Sequence, residues 1–73
     1  MNIAEVVAMV AELAEVDEAQ VSAETVLEEL EAWDSLAVVS FMAMVDESHG
    51  IKIQARAISA AKTVNDLLVL VSA

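Results

Sequence analysis

A chain of 73 residues is long enough for one domain only, and at this size folding buries about 60% of the surface the unfolded chain exposes, so the core must be small. A hydrophobic content of 59% excludes a disordered chain and calls for a packed interior. Thirteen acids against three bases (Lys52, Arg56 and Lys62) give a net charge of −10, which argues against nucleic acid or an anionic membrane as partner and favours a basic protein surface, met quickly and released easily.

The first predicted element is a helix over residues 3–15. Ile3, Val6, Val7, Val10 and Leu13 recur at helical spacing, and Asn2 with Glu5 stands in capping-box register. Residues 16–34 lack a clean amphipathic stretch; Asp17 and Ser22 both resemble caps, which predicts a long connection holding one or two short turns. A second helix runs from Ser35 to His49. Its core stripe is Val38, Phe41, Met42, Val45 and His49, and Gly50 stands where a left-handed C-terminal cap belongs. The opposite stripe, Leu36, Val39, Ser40, Ala43, Met44 and Glu47 with Asp46 at its margin, is too apolar for an ordinary solvated face. After an extended "IKIQ", one or two helical turns are expected around Ala55–Ala61. Thr63 and Asp66 then cap a last helix whose Val64, Leu67, Leu68 and Val71 face inward. Fold class is therefore all-α: three main helices, one short third helix, and a long loop between helices one and two.

Most chemistry is excluded by what the sequence lacks. Without cysteine there are no disulfides, thiolate nucleophiles or cysteine metal sites, and a single histidine, His49, rules out a multi-histidine centre. No calcium-loop motif occurs. "MNIAEVV" carries an acid where a signal peptide has a basic segment, and no apolar run approaches membrane-spanning length. These features together suggest a cytosolic protein.

What remains is Ser35, in "WDSL", at the mouth of the long apolar run. An Asp–Ser pair at a helix start commonly serves the orphan N–H groups, with Asp34 as N-cap. A serine nucleophile needs a nearby base, and His49, at the far end of the same helix, is about 20 Å away. A hydroxyl at a helix N-terminus is, however, a good attachment point for a phosphate, because free N–H groups and the helix dipole stabilise the negative charge. A separate enzyme can then perform the chemistry.

Length, acidity, the amphipathic first helix, the long loop, "WDSLAVVSFMAMVDESHGIKI" and the closing "KTVNDLLVLV" resemble the acyl carrier protein family, whose attachment motif is D-S-L at the start of helix two. The resemblance covers nearly the whole chain and implies a four-helix bundle forming one carrier domain, residues 1–73. It implies a carrier rather than an enzyme. Ser35, flanked by Asp34 and Leu36, would receive 4′-phosphopantetheine from coenzyme A through a dedicated transferase, and acyl cargo for fatty acid, polyketide or related lipid biosynthesis would ride the arm as a thioester. Leu36, Val39, Ser40, Ala43, Met44, Asp46 and Glu47 correspond to the partner-docking face. Leu27, Val45, Ile53, Ile58 and Ala61 correspond to the acyl pocket, although a plain core reading suits them equally. Expected partners are the transferase and acyl-handling enzymes with basic surfaces, with no nucleic acid, membrane or metal, the carrier itself being a monomer. An aminoacyl or peptidyl carrier, or an unmodified acidic helical interaction module, is the alternative.

The chain departs from the usual L-G-x-D-S-L. Leu30-Glu31-Ala32-Trp33-Asp34-Ser35-Leu36 is one residue longer and lacks the glycine, so the loop must take another path into the helix. Trp33 resembles stand-alone carriers of specialised pathways, and reads either as a loop residue folded over the core or as a recognition residue. Ser40 replaces a customary acid, and Lys52 and Arg56 stand in a segment that is usually acidic. Both changes suggest a restricted, more hydrophobic set of partners.

Overall fold

The computed structural model describes residues 1–72. Four α-helices follow in chain order, α1 (Ile3–Ala14), α2 (Ser35–His49), α3 (Ala55–Ala60) and α4 (Val64–Ser72), with two single 3₁₀ turns at Glu18–Gln20 and Leu27–Glu29 in the connection between α1 and α2. This is the all-helical bundle that the periodicity and the resemblance implied. No strand forms among the described residues; an isolated bridge pairs Val26 with Thr63.

Three of the four helices begin at a side-chain cap; α3, which follows Gln54, has none. Asn2 Oδ1 accepts the Glu5 N–H at 3.0 Å while the Glu5 carboxylate accepts the Asn2 N–H, a complete capping box. Asp34 Oδ1 accepts the Ala37 N–H at 3.0 Å and starts α2. Gly50 closes α2 at φ 65°, a left-handed conformation open to a residue without Cβ. Of the two caps expected in the long connection, Asp17 serves one, accepting the Ala19 N–H at the first 3₁₀ turn. Ser22 starts no helix: its N–H donates to Thr25 Oγ1 at 2.8 Å, so the pair closes a turn instead.

Packing then joins the pieces. Val6, Val10, Val38, Phe41, Val45, Ile58, Leu67 and Val71, from all four helices, form one buried cluster with Val21 and Leu27 from the long connection. The α2 stripe is inward as expected for Val38, Phe41 and Val45, and half-buried for Met42. His49 corrects the expectation of a core-completing residue: it is exposed, with Nε2 3.1 Å from Glu5 Oε2, and ties the end of α2 to the start of α1. An imidazole at the last turn of a helix gains more from water and a carboxylate than from an apolar core that would leave its nitrogens unpaired.

The long connection is strapped across the α3–α4 junction. Leu27 N–H donates to the Lys62 carbonyl at 2.9 Å, Val64 N–H to the Thr25 carbonyl at 3.1 Å, and Asn65 N–H to the Ala23 carbonyl at 2.9 Å. These bonds satisfy backbone groups that would otherwise be lost beneath the loop, and they bring Leu27 and Lys62 beside the start of α2.

At the start of α4 the cap is reciprocal. Thr63 Oγ1 accepts the Asp66 N–H at 3.2 Å, and the Asp66 carboxylate accepts the N–H groups of Lys62 and Thr63 at 2.9 and 3.1 Å. Those two donors, Lys62 first, hold the Asp66 carboxyl below the usual carboxylate range. A carboxyl whose pKa is depressed by folding stabilises the fold above its unfolded value of about 3.9 and loses that contribution as pH falls through the folded value. Asp66→Asn should therefore melt below the parent chain at pH 7, with the gap closing in strong acid. Thermal melts of both proteins at neutral pH and near pH 2 measure this, and an undiminished gap in acid would mean that the carboxylate charge is not the cause.

Candidate functional site

Ser35 is the first residue of α2 and is exposed to solvent. The Ala37 N–H is taken by the Asp34 side chain and the Val38 N–H by the Asp34 carbonyl. The N–H groups of Ser35 and Leu36 have no hydrogen-bond partner among the described residues, so two backbone donors at the positive end of a fifteen-residue helix lie free beside the Ser35 hydroxyl. A phosphate ester on that oxygen would find both donors within reach.

Behind Ser35 the outer stripe of α2 is open. Leu36 is 74% exposed and Val39 48%; Ala43 and Glu47 are exposed, and Ser40, Met44 and Asp46 half-buried. All seven expected docking residues thus share one accessible face. One of them is already engaged: both Asp46 carboxylate oxygens accept from Lys52 Nζ, at 3.1 and 3.2 Å. The pair is solvent-exposed and contributes little to stability, but it cancels one of the two acids on α2. Glu47 is left as the single unpaired carboxylate of this helix.

On the other side of Ser35 opens a cleft of 620 Å³, bounded by Leu27 and Val26 from the strapped connection, Trp33 and Val38 from around the start of α2, and Ala61 and Lys62 from the α3–α4 junction. The expected acyl-pocket residues are divided between two environments. Leu27 and Ala61 line this cleft; Val45 and Ile58 are fully buried in the common core, and Ile53 is half-buried against it. Trp33 is folded over the core, the first of its two readings. Its ring meets Phe41 edge-on at 5.9 Å with planes at 67°, and the same ring forms one wall of the cleft. The longer, glycine-free approach to α2 is accommodated by a turn in which the Trp33 N–H donates to the Leu30 carbonyl and the Asp34 N–H to that of Ala32.

Five cleft residues escaped the sequence reading: Val26, Glu28, Ser59, Ala60 and Lys62. The available signal was small: Lys62 precedes the cap residue Thr63 by one position, and only the bond from Leu27 to its carbonyl reveals that the loop lies against it.

An exposed hydroxyl at an uncapped pair of helix N–H groups, an apolar helix face behind it and a cleft at its side fit a phosphate-linked arm that must be reached by other proteins. That is the arrangement of a carrier domain. A family model described as phosphopantetheine attachment site matches residues 4–71, and the chain belongs to that family. No curated protein and no solved structure matches it. Domains of this family are the sites of covalent 4′-phosphopantetheine attachment, and they work as carriers with a transferase and acyl-handling enzymes rather than as catalysts. None of the described helices is long and apolar enough to cross a membrane.

Proposed function

We propose that Ser35 bears the arm and that residues 1–73 act as one acyl carrier domain, presenting thioester-bound acyl groups to enzymes of fatty acid, polyketide or related lipid biosynthesis. The observation that carries this is the exposed Ser35 hydroxyl beside the free N–H groups of Ser35 and Leu36. The arm, when present, supplies the terminal thiol that a chain without cysteine lacks. The protein's own residues do the rest. Asp34 holds the first turn of α2 in place, the two free N–H groups face the phosphodiester, and Leu36, Val39, Ala43 and Met44 offer an apolar surface to the visiting enzyme. Val26, Leu27, Val38 and Ala61 give the arm and a short acyl group an apolar wall to lie against. Tethering cargo in this way raises its effective concentration at each docked enzyme without tight binding. A net charge of −10 favours acyl over aminoacyl or peptidyl cargo, whose carriers need no such acidity.

Incubation with coenzyme A, magnesium and a phosphopantetheinyl transferase of broad acceptor range should add one arm per chain, and fragmentation should place it on Ser35. Subsequent loading by a fatty acyl ligase, and not by an amino-acid-activating enzyme, is the expected second step. The reverse preference would make the chain a peptidyl carrier, and failure to take up the arm at all would leave an interaction module.

A further inference from the structure

Two walls of the cleft beside Ser35 are fastened to each other. Val26 and Leu27 of the strapped connection form one, and Ser59 of α3 with Lys62 of the α3–α4 junction forms another. The Leu27 N–H donates across to the Lys62 carbonyl at 2.9 Å, and the bonds from Val64 to Thr25 and from Asn65 to Ala23, at 3.1 and 2.9 Å, continue the fastening. Parting these walls would break three backbone hydrogen bonds, and any group left buried without a partner would be destabilising. Trp33 stands between the cleft and the core. It lines the cleft, whereas Phe41 does not, and its ring meets Phe41 edge-on at 5.9 Å. Behind that contact Phe41, Val45 and Ile58 are 0% exposed. Close-packed interiors resist added methylenes, which force side chains off their rotamers. An acyl tail that outgrows the cleft must therefore displace Trp33 and overpack the core, or run out past Lys62 into water.

We propose that Trp33 is a specificity-determining residue, restricting the cargo this domain shelters to short acyl groups. These lie in the cleft against Val26, Leu27 and Val38, and longer chains gain no further burial. The proposal rests on the carrier reading and names the class of cargo within it.

Chain length is the variable that tests it. Acetyl-, butyryl-, octanoyl- and dodecanoyl-coenzyme A, with magnesium and a transferase of broad acceptor range, place each acyl arm on the chain, and intact mass records complete loading. A tail drawn into an expanding core would bury more apolar surface with every methylene, so the octanoyl form would melt above the butyryl form by on the order of 10 °C. In the parent chain the expected difference is below about 2 °C, and the emission of Trp33 should change from the acetyl to the butyryl form and no further. Trp33→Ala should open the way inward, its octanoyl form melting about 5 °C or more above its butyryl form. Comparing two loaded forms of one variant removes that variant's own loss of stability. If Trp33→Ala does not hold a cooperative fold, Trp33→Leu, which keeps an apolar side chain beside Phe41, carries the same comparison. A parent chain whose Tm climbs with chain length, or a position-33 variant whose Tm stays flat, overturns the proposal and leaves the carrier reading intact. A parent chain that accepts no arm from any of the four donors overturns the carrier reading itself, and its unchanged mass tells that failure apart.

Discussion

Replacing Ser35 by alanine should abolish phosphopantetheine attachment completely while leaving the fold as it is. Position 35 contributes no side-chain hydrogen bond to the described structure; the first turn of α2 is held by Asp34, whose carboxylate and carbonyl accept from Ala37 and Val38. Alanine is the best helix former, and a surface change of this kind alters stability by about 0.5 kcal/mol or less. The variant should thus melt with the parent chain and yet show the unmodified mass after exhaustive incubation with transferase and coenzyme A. The demanding comparison is Ser59, the other hydroxyl in the same cleft. Ser59 sits near the end of a six-residue helix, where carbonyls rather than free N–H groups accumulate, so a phosphodiester there meets the wrong end of the backbone. Arm transfer that survives Ser35→Ala, on Ser59 or any other of the remaining five serines, would show that helix-end electrostatics do not select the site. Asp34→Ala offers a graded version. Loss of the cap costs α2 about 1 kcal/mol, and frays the turn that presents the hydroxyl.

The second large effect lies in the core. Phe41→Ala should bring the domain to the edge of unfolding. Phe41 is fully buried at the centre of the cluster that joins all four helices, and its ring also supports Trp33. Phenylalanine-to-alanine changes at such positions cost about 3–5 kcal/mol. At roughly 0.05–0.15 kcal/mol per residue, a chain of this length has about 4–11 kcal/mol to lose. The expected drop in Tm is on the order of 15 °C or more, because about 1 kcal/mol shifts a domain of this size by several degrees. Circular dichroism melts measure the drop, and the emission of Trp33, the single tryptophan, should move toward that of exposed indole as its supporting ring is lost. Phe41→Leu, which fills more of the space, should retain a cooperative transition. A Tm for Phe41→Ala within about 5 °C of the parent chain would show that the aromatic centre is not what holds the helices together. Trp33 lines the cleft beside Ser35, so loosening Phe41 should also loosen that cleft, the proposed resting place of the arm.

The apolar character of α2 bears on partner choice. Leu36 and Val39 are accessible, Ser40 stands where the resemblance leads one to expect a further acid, and Asp46 is paired with Lys52, so the outer face of α2 presents apolar area with Glu47 as its one unpaired carboxylate.

Much of this protein is determined within three or four residues and is therefore legible in the sequence. Asn2 with Glu5, Asp34 with Ala37, Gly50, and Thr63 with Asp66 set the helix limits through contacts between near neighbours, which need no knowledge of the rest of the chain. The inward placing of Val38, Phe41 and Val45, and the outward placing of Ser35, Leu36 and Val39, follow from those limits and the 3.6-residue period. Tertiary structure alone decided which distant groups meet. The strap from Leu27 to Lys62 that forms the cleft, the contact of His49 with Glu5 and the engagement of Asp46 by Lys52 all join elements whose approach depends on how four helices pack and where a long loop closes. Exposed polar side chains commit to no partner until that packing exists, because water satisfies them equally well beforehand.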